Sequence, residues 1–280
     1  MKRNQIIVVA ACAVLCLGIY LFASTKKPKT ADEAPVVTDQ GQGHQQQADA
    51  LDIEAYIADV NAKITDKATK ERIDSLKQAK SYKGLAGVYQ KLDKPLAVAY
   101  YAVKLATMEN TAQSYAYAGD YSAMLIQTAP DDKARNYLGD NMLQCYQKSV
   151  ALDSTNTENR IRLAGAYMEG GGQPMQGVAI LLDIVRKDSN NVDAQLMLGR
   201  FGLISGQFDK AIVRLEKILY LQPQNSEAML LLAEAYDGKG NKKKALELLE
   251  KCKKTVDNPE AKKEIDGYIQ KLKKPNGSNS

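Results

Sequence analysis

The fold class this sequence predicts is an all-α solenoid of stacked helical hairpins, and three observations carry the prediction. One pattern of 34 residues is written twice in succession over residues 192–259, with no gap between the copies. Within each copy the apolar residues recur at helical spacing. A glycine-bearing turn divides each copy into two such helices. Units this short cannot bury an apolar face alone, so they must stack on their neighbours.

Aligned from Val192 and from Ser226, the copies carry like residues at like places. Leu198-Gly199 and Leu232-Ala233 stand at the seventh and eighth places, Ala211 and Ala245 at the twentieth, Leu215 and Leu249 at the twenty-fourth, and Ile218 and Cys252 at the twenty-seventh. The turns are Ser205-Gly206-Gln207 and Gly238-Lys239-Gly240-Asn241. Small residues at the eighth and twentieth places are expected to face each other, because larger ones would push the helix axes beyond the usual separation of about 8–10 Å. With Tyr236 at the eleventh place and Pro223 at the thirty-second, the pattern resembles the tetratricopeptide repeat (TPR) family. Gly202 stands where that family usually has tyrosine and Asp257 where it usually has proline; neither departure removes a helix. The resemblance covers about residues 79–259 and implies fold far better than partner.

Residues 1–24 read as a basic head, with Lys2 and Arg3, followed by an uncharged apolar run of 18 residues, 6–23. At 1.5 Å per residue the run spans about 27 Å, close to the hydrocarbon thickness of a bilayer. A single transmembrane helix is therefore expected. Val9-Ala10-Ala11-Cys12 resembles a lipoprotein signal site, but too few apolar residues precede it, and Phe22-Ala23-Ser24 is a poor cleavage site, so an uncleaved signal anchor is the expectation. Lys2 and Arg3 on a short tail favour a cytoplasmic N-terminus, against Lys26, Lys27 and Lys29 on the far side. The repeats would then lie outside the cytoplasm, in the periplasm if the inner membrane is bacterial.

Residues 25–50, with Pro28, Pro35 and a Gln/Gly run, have no apolar pattern and read as a disordered linker. His44, the only histidine, lies there and reads as a solvated linker residue. Helical spacing begins at Leu51, and residues 51–78 are expected to form an N-terminal helical hairpin. Residues 79–112 read as a degenerate repeat, with Leu85, Ala86 and Tyr89 at the seventh, eighth and eleventh places and Pro95 opening the second helix. Residues 113–156 exceed the standard unit by about ten, and the excess is expected as a lengthened turn near residues 128–132. Regular repeats follow at 157–191, 192–225 and 226–259. A capping helix at 260–274 carries Ile265, Tyr268, Ile269 and Leu272 on one face, and 275–280 is a loose tail.

The formal charge of +5 demands no nucleic-acid partner. Residues 239–274 hold 12 lysines against 6 acidic residues; this reads as a solvated helix face, with attraction to an acidic partner or anionic lipid as the alternative. Cys12 and Cys16 lie in the apolar run, and Cys145 and Cys252 at apolar helix places, with no metal-ligand or disulfide pattern. Residues 170–172 are consecutive glycines, but they follow a helix and precede no Gly-Lys-Ser/Thr, so they read as a turn and not a phosphate loop. The folded part has no histidine and no distinctive carboxylate pair, so no catalytic residue, cofactor or metal site is expected and the chain does not read as an enzyme.

What remains is recognition of a protein or peptide. In TPR proteins the second, fifth, ninth and twelfth places of the first helix usually line the groove. The resemblance therefore implies a protein-binding surface that includes Ile161, Met168, Leu196, Arg200, Leu203, Leu230, Glu234 and Asp237. Such a groove suits a peptide with apolar anchors and at least one basic group. Arg200 is expected either to pair internally or to hold a partner carboxylate. The lysine, asparagine and arginine set with which some TPR domains clamp chaperone C-termini is not found in that pattern. The overall expectation is a membrane-anchored scaffold. An assembly factor resembling the TPR subunits of cytochrome c maturation, and a small-ligand receptor or enzyme, are the alternatives.

Overall fold

Thirteen α-helices and no strand make up the described residues, 50–169 and 172–274, of the computed structural model. The expected membrane helix at 6–23, the linker up to residue 49 and the tail at 275–280 lie outside the described residues. Among the described residues no helix is long and apolar enough to cross a membrane.

The helices are α1 (Ile53–Lys63), α2 (Lys67–Gln78), α3 (Tyr82–Lys91), α4 (Pro95–Glu109), α5 (Ala112–Ile126), α6 (Asp132–Leu152), α7 (Thr157–Glu169), α8 (Pro174–Lys187), α9 (Val192–Ile204), α10 (Phe208–Leu221), α11 (Ser226–Gly238), α12 (Lys242–Thr255) and α13 (Pro259–Lys273). Their starts are written in the sequence. The side chains of Asn156, Asn191 and Asn225 each accept a hydrogen bond from the backbone N–H three residues on, at 2.9, 2.9 and 2.8 Å, satisfying a donor that the first turn leaves without a partner. Asp52, Asp66 and Asp131 do the same for α1, α2 and α6.

The α9–α10 and α11–α12 turns share one geometry. Gly206 and Gly240 have φ of 70° and 77°. The next residue, Gln207 or Asn241, returns its N–H to the carbonyl five residues back, on Gly202 or Tyr236. This left-handed closure of the helix end suits glycine, which lacks the Cβ that strains other residues there. The α3–α4 turn closes the same way through Asp93, with φ of 55° and the Lys94 N–H bonded to the Tyr89 carbonyl.

Consecutive helices pack on one another from α2 to α13, while α1 packs on α4. The core runs along the stack as linked clusters. The largest takes Leu215 and Ile218 from α10, Met229 from α11, Leu249 from α12 and Ile269 from α13. Fully burying a side chain such as Leu215 or Leu249 contributes about 1.5–3 kcal/mol. The small residues meet with an offset that the sequence reading did not foresee. A Cβ on Gly177 would lie 2.4 Å from the Ala164 carbonyl, so there the twentieth and eighth places do meet. In the next hairpin Gly199 lies against Leu215, and it is Gly202 that lies against Ala211. The glycine at the place usual for tyrosine lets these two helices close.

The long unit departs from the expected lengthened turn. Five residues separate α5 from α6, against three between α9 and α10, whereas α6 has 21 residues against 14 in α10. Most of the excess is helix. Its first two turns bury Ala134 and Leu138 against α4, which offsets the cost of ordering them.

Candidate protein-binding groove

The first helices of the regular hairpins, α7, α9 and α11, stand in a row, with α9 packed against both neighbours. The expected groove residues sit along this row in different states. Ile161 and Met168 are half-buried, packed on the cluster of Ala164, Leu181 and Leu198. Leu196 and Leu203 are half-buried against the C-terminal core. Leu230 is 38% exposed, an apolar side chain left in contact with water. Arg200 pairs with Glu227 on the next helix of the row, so the internal pairing is the arrangement found.

Leu203, Glu234 and Asp237 come together at one end of the row. They line an open cavity of about 610 Å³, with Phe208 and Gly238 on one side and Gly267, Tyr268 and Lys271 on the other. Gly238 must be small: a Cβ there would meet the Phe208 ring at 2.5 Å. The Tyr268 hydroxyl donates to Asp237 Oδ2 at 3.1 Å. Burial pushes the Tyr268 phenol pKa up, and the negative charges of Asp237 and Glu234 push it further. The same two carboxylates would attract a ligand cation. Leu203 and Phe208 supply apolar wall beside them.

Tyr268 and Lys271 belong to α13, which the sequence pattern marks only as a cap, and Phe208 opens α10, outside the first-helix places that define the groove. The start of α13 carries the signal. Asn258 caps it through the N–H groups of Glu260 and Ala261, and Ile265, Ile269 and Leu272 are buried. The helix packs on α12 and reaches α11 through Tyr268 and Asp237, so its outer residues extend the groove. The cysteines among the described residues, Cys145 and Cys252, are buried and free. Burial raises both thiol pKa values, that of Cys145 to about 11, so neither is a ready nucleophile. No group of histidine, cysteine, aspartate and glutamate among the described residues is arranged to hold a metal ion.

Residues 203–263 match the family model described as tetratricopeptide repeat. Over 117 residues, 42% of this chain, the sequence is 30% identical to a peroxisomal targeting signal receptor of Candida albicans, with 20% of that protein covered. It is 26% identical over 117 residues to the protein of the same name from Debaryomyces hansenii, with 19% covered. The chain spans about a fifth of the length of these curated relatives. Among solved structures, similarity is found to a thermophilic TPR protein of Thermus thermophilus, with a TM-score of 0.49, 17% identity, and 69% of this chain and 97% of that one covered. It is also found to MamA, with a TM-score of 0.48, 21% identity, and coverage of 64% and 96%. The matched repeat model and the glycine-closed hairpins agree: the described residues form an all-helical solenoid of the tetratricopeptide-repeat type, a fold of protein–protein interaction.

Proposed function

We propose that the chain is a membrane-anchored scaffold that binds a protein or peptide along the row α7, α9, α11 and α13, with residues 6–23 as the anchor and the repeats outside the cytoplasm. The observation that carries the binding site is the cavity at the end of the row. It sets the Glu234 and Asp237 carboxylates beside the apolar Leu203 and Phe208, the complement of a segment bearing an apolar anchor next to a basic group. The curated relatives supply support of a general kind, since their name makes them receptors for a targeting signal.

Crosslinking of the full chain in intact cells, followed by mass spectrometry, tests the reading. Glu234→Lys is the variant of choice, because the side chain is exposed and the fold does not depend on it. Partners captured by the native chain should be lost by this variant. Identical captures from both would remove the groove from the binding surface. A reporter fused after Ser280 tests the topology, and activity of a cytoplasm-only reporter would reverse the orientation.

A further inference from the structure

A second cavity, of about 510 Å³, lies between the start of α9 and the outer face of α10 and shares no residue with the groove. Ser189, Gln195, Asp209, Lys210, Val213, Arg214 and Lys217 line it. Its centre is a guanidinium held without a countercharge. Arg214 Nη1 donates to Gln195 Oε1 at 2.8 Å. Gln195 is only 6% exposed and is fixed in turn by its own amide, which donates to the Ser189 carbonyl at 2.9 Å. Among the described residues no carboxylate pairs with Arg214; Asp209 is engaged by Lys239 and Glu216 by the Tyr236 hydroxyl. Burial pushes the Arg214 pKa down, the sign of a cation partly stripped of water without an anion in exchange.

The preceding hairpin shows what a neutralised version looks like. There Arg160, at the place of Gln195, pairs with Asp183 at 2.6 Å. Counted from the first residue of each second helix, Lys217 takes the place of Asp183. The acid has been replaced by a base, and Lys210 adds another on the same face. Val213, 68% exposed, and Tyr220, 81% exposed, with Lys217 Nζ 5.9 Å from its ring centroid, lie along that face as solvent-facing apolar surface.

We propose that this cavity is a second docking site, for an acidic segment of a protein partner. A carboxylate of that segment takes the free donors of Arg214, which present a planar fork matched to a carboxylate. Lys210 and Lys217 flank it, and an apolar residue next to the acid covers Val213 and Tyr220. The exposed valine and tyrosine favour a peptide, which carries acid and apolar groups on one strand.

A random peptide phage library selected on the full chain in detergent micelles tests the site. Enriched sequences should pair Asp or Glu with a large apolar residue. They should bind the native chain at least tenfold more tightly than Arg214→Gln, with Arg214→Lys between the two. Circular dichroism checks that the variants are folded. Should Arg214→Gln fail to fold, Val213→Asp places a repelling charge at an exposed position and should give the same loss. The proposal is overturned if the enriched peptides lack acids, or if folded Arg214→Gln and Val213→Asp bind them as the native chain does. It is equally overturned if binding is lost in Glu234→Lys but kept in Arg214→Gln, which would make the peptides groove ligands. Vesicles of phosphatidylcholine and phosphatidylglycerol form the last arm: Arg214-dependent binding to them in the absence of acidic peptide binding would make the cavity a lipid site instead.

Discussion

The two halves of the solenoid reach the same stacked-helix arrangement by different chemistry. From α7 onward each first helix starts on an asparagine cap, and the α9–α10 and α11–α12 turns close on a glycine of positive φ. From α1 to α6 the helices are tied by tyrosines. The Tyr89 hydroxyl donates to Asn61 at 2.8 Å across 28 residues, that of Tyr100 to Glu54 at 2.9 Å across 46, and that of Tyr146 to Asp120 at 2.8 Å across 26. Tyr89 and Tyr82 also stack on Tyr101, with ring centroids 5.4 and 6.4 Å apart. The regular half repeats one local solution; the other assembles a particular solution from distant parts. Stability in the first should therefore be nearly a sum over neighbours, and in the second should rest on a few irreplaceable contacts.

The largest effect is expected from Leu215→Ala. Leu215 is fully buried and fills the space against Gly199, so its truncation should cost about 2–5 kcal/mol. In a nearest-neighbour array the loss of hydrogen-exchange protection should concentrate in α9–α12 and leave α1–α6 protected. Uniform loss along the chain would mean that the halves unfold as one body, and the comparison would fail.

Next come the tyrosines. Tyr89→Phe removes the bond to Asn61 and leaves that half-buried amide oxygen short of a donor, at a cost of about 1–2 kcal/mol. Tyr236→Phe in the regular half breaks a bond to Glu216, which is exposed and can turn to water, so it should cost less than half as much. Equal losses in chemical denaturation would show that the two halves do not differ in this respect.

This contrast also explains what could be read from the sequence. The regular half was legible because its contacts recur at fixed spacing, so Leu198, Ala211 and Leu249 announce themselves twice or more. The turn after α3 has the same closure as that after α9 but carries Asp93, not glycine, and the turn after α2 carries Lys80 with φ of 49°. The glycine that marks such a turn is absent from both, although Pro95 still signals the start of α4. Long-range pairs such as Tyr100 with Glu54 have no sequence signature at all, since both residue types are common on helix surfaces. Within the candidate site Leu203, Glu234 and Asp237 follow from their places in the repeat, whereas Tyr268 and Lys271 lie beyond residue 259, where the 34-residue pattern ends. Arg214 is illegible for another reason. A cation on a helix face is ordinary until the structure shows that its neighbours are not acids.

The turn residues offer a smaller and reciprocal test. Asp93→Gly should stabilise the irregular half by up to about 1 kcal/mol, because it relieves the left-handed backbone strain of a residue with a Cβ. Gly206→Ala should destabilise the regular half by about 1 kcal/mol for the converse reason. Thermal unfolding would register both. Shifts of the same sign would mean that the shared turn geometry is not what limits either hairpin.

The smallest effect separates two adjacent hairpins inside the regular half. Hydrogen bonds from Lys187, then from Arg160 and Arg186, hold the Asp183 carboxyl well below the usual carboxylate range. A folded-state pKa lower than the unfolded one makes the ionised form a source of stability. That stability is present above about pH 4, the unfolded value, and is lost as pH falls toward the folded one. Asp183 is not deeply buried, so the gain at neutral pH should stay below about 1 kcal/mol. The difference between the native chain and Asp183→Asn should therefore shrink on acidification. The α9–α10 hairpin has Lys217 at this place and no such acid. Lys217→Asp should give it one within reach of Arg214, adding a stability increment of similar size that disappears in acid. It should also abolish binding of the acidic peptides, because the new carboxylate would occupy the guanidinium from within. An increment that persists below pH 4 would mean that Arg214 is not its partner. Such a result would leave the contrast between the two hairpins without its electrostatic cause.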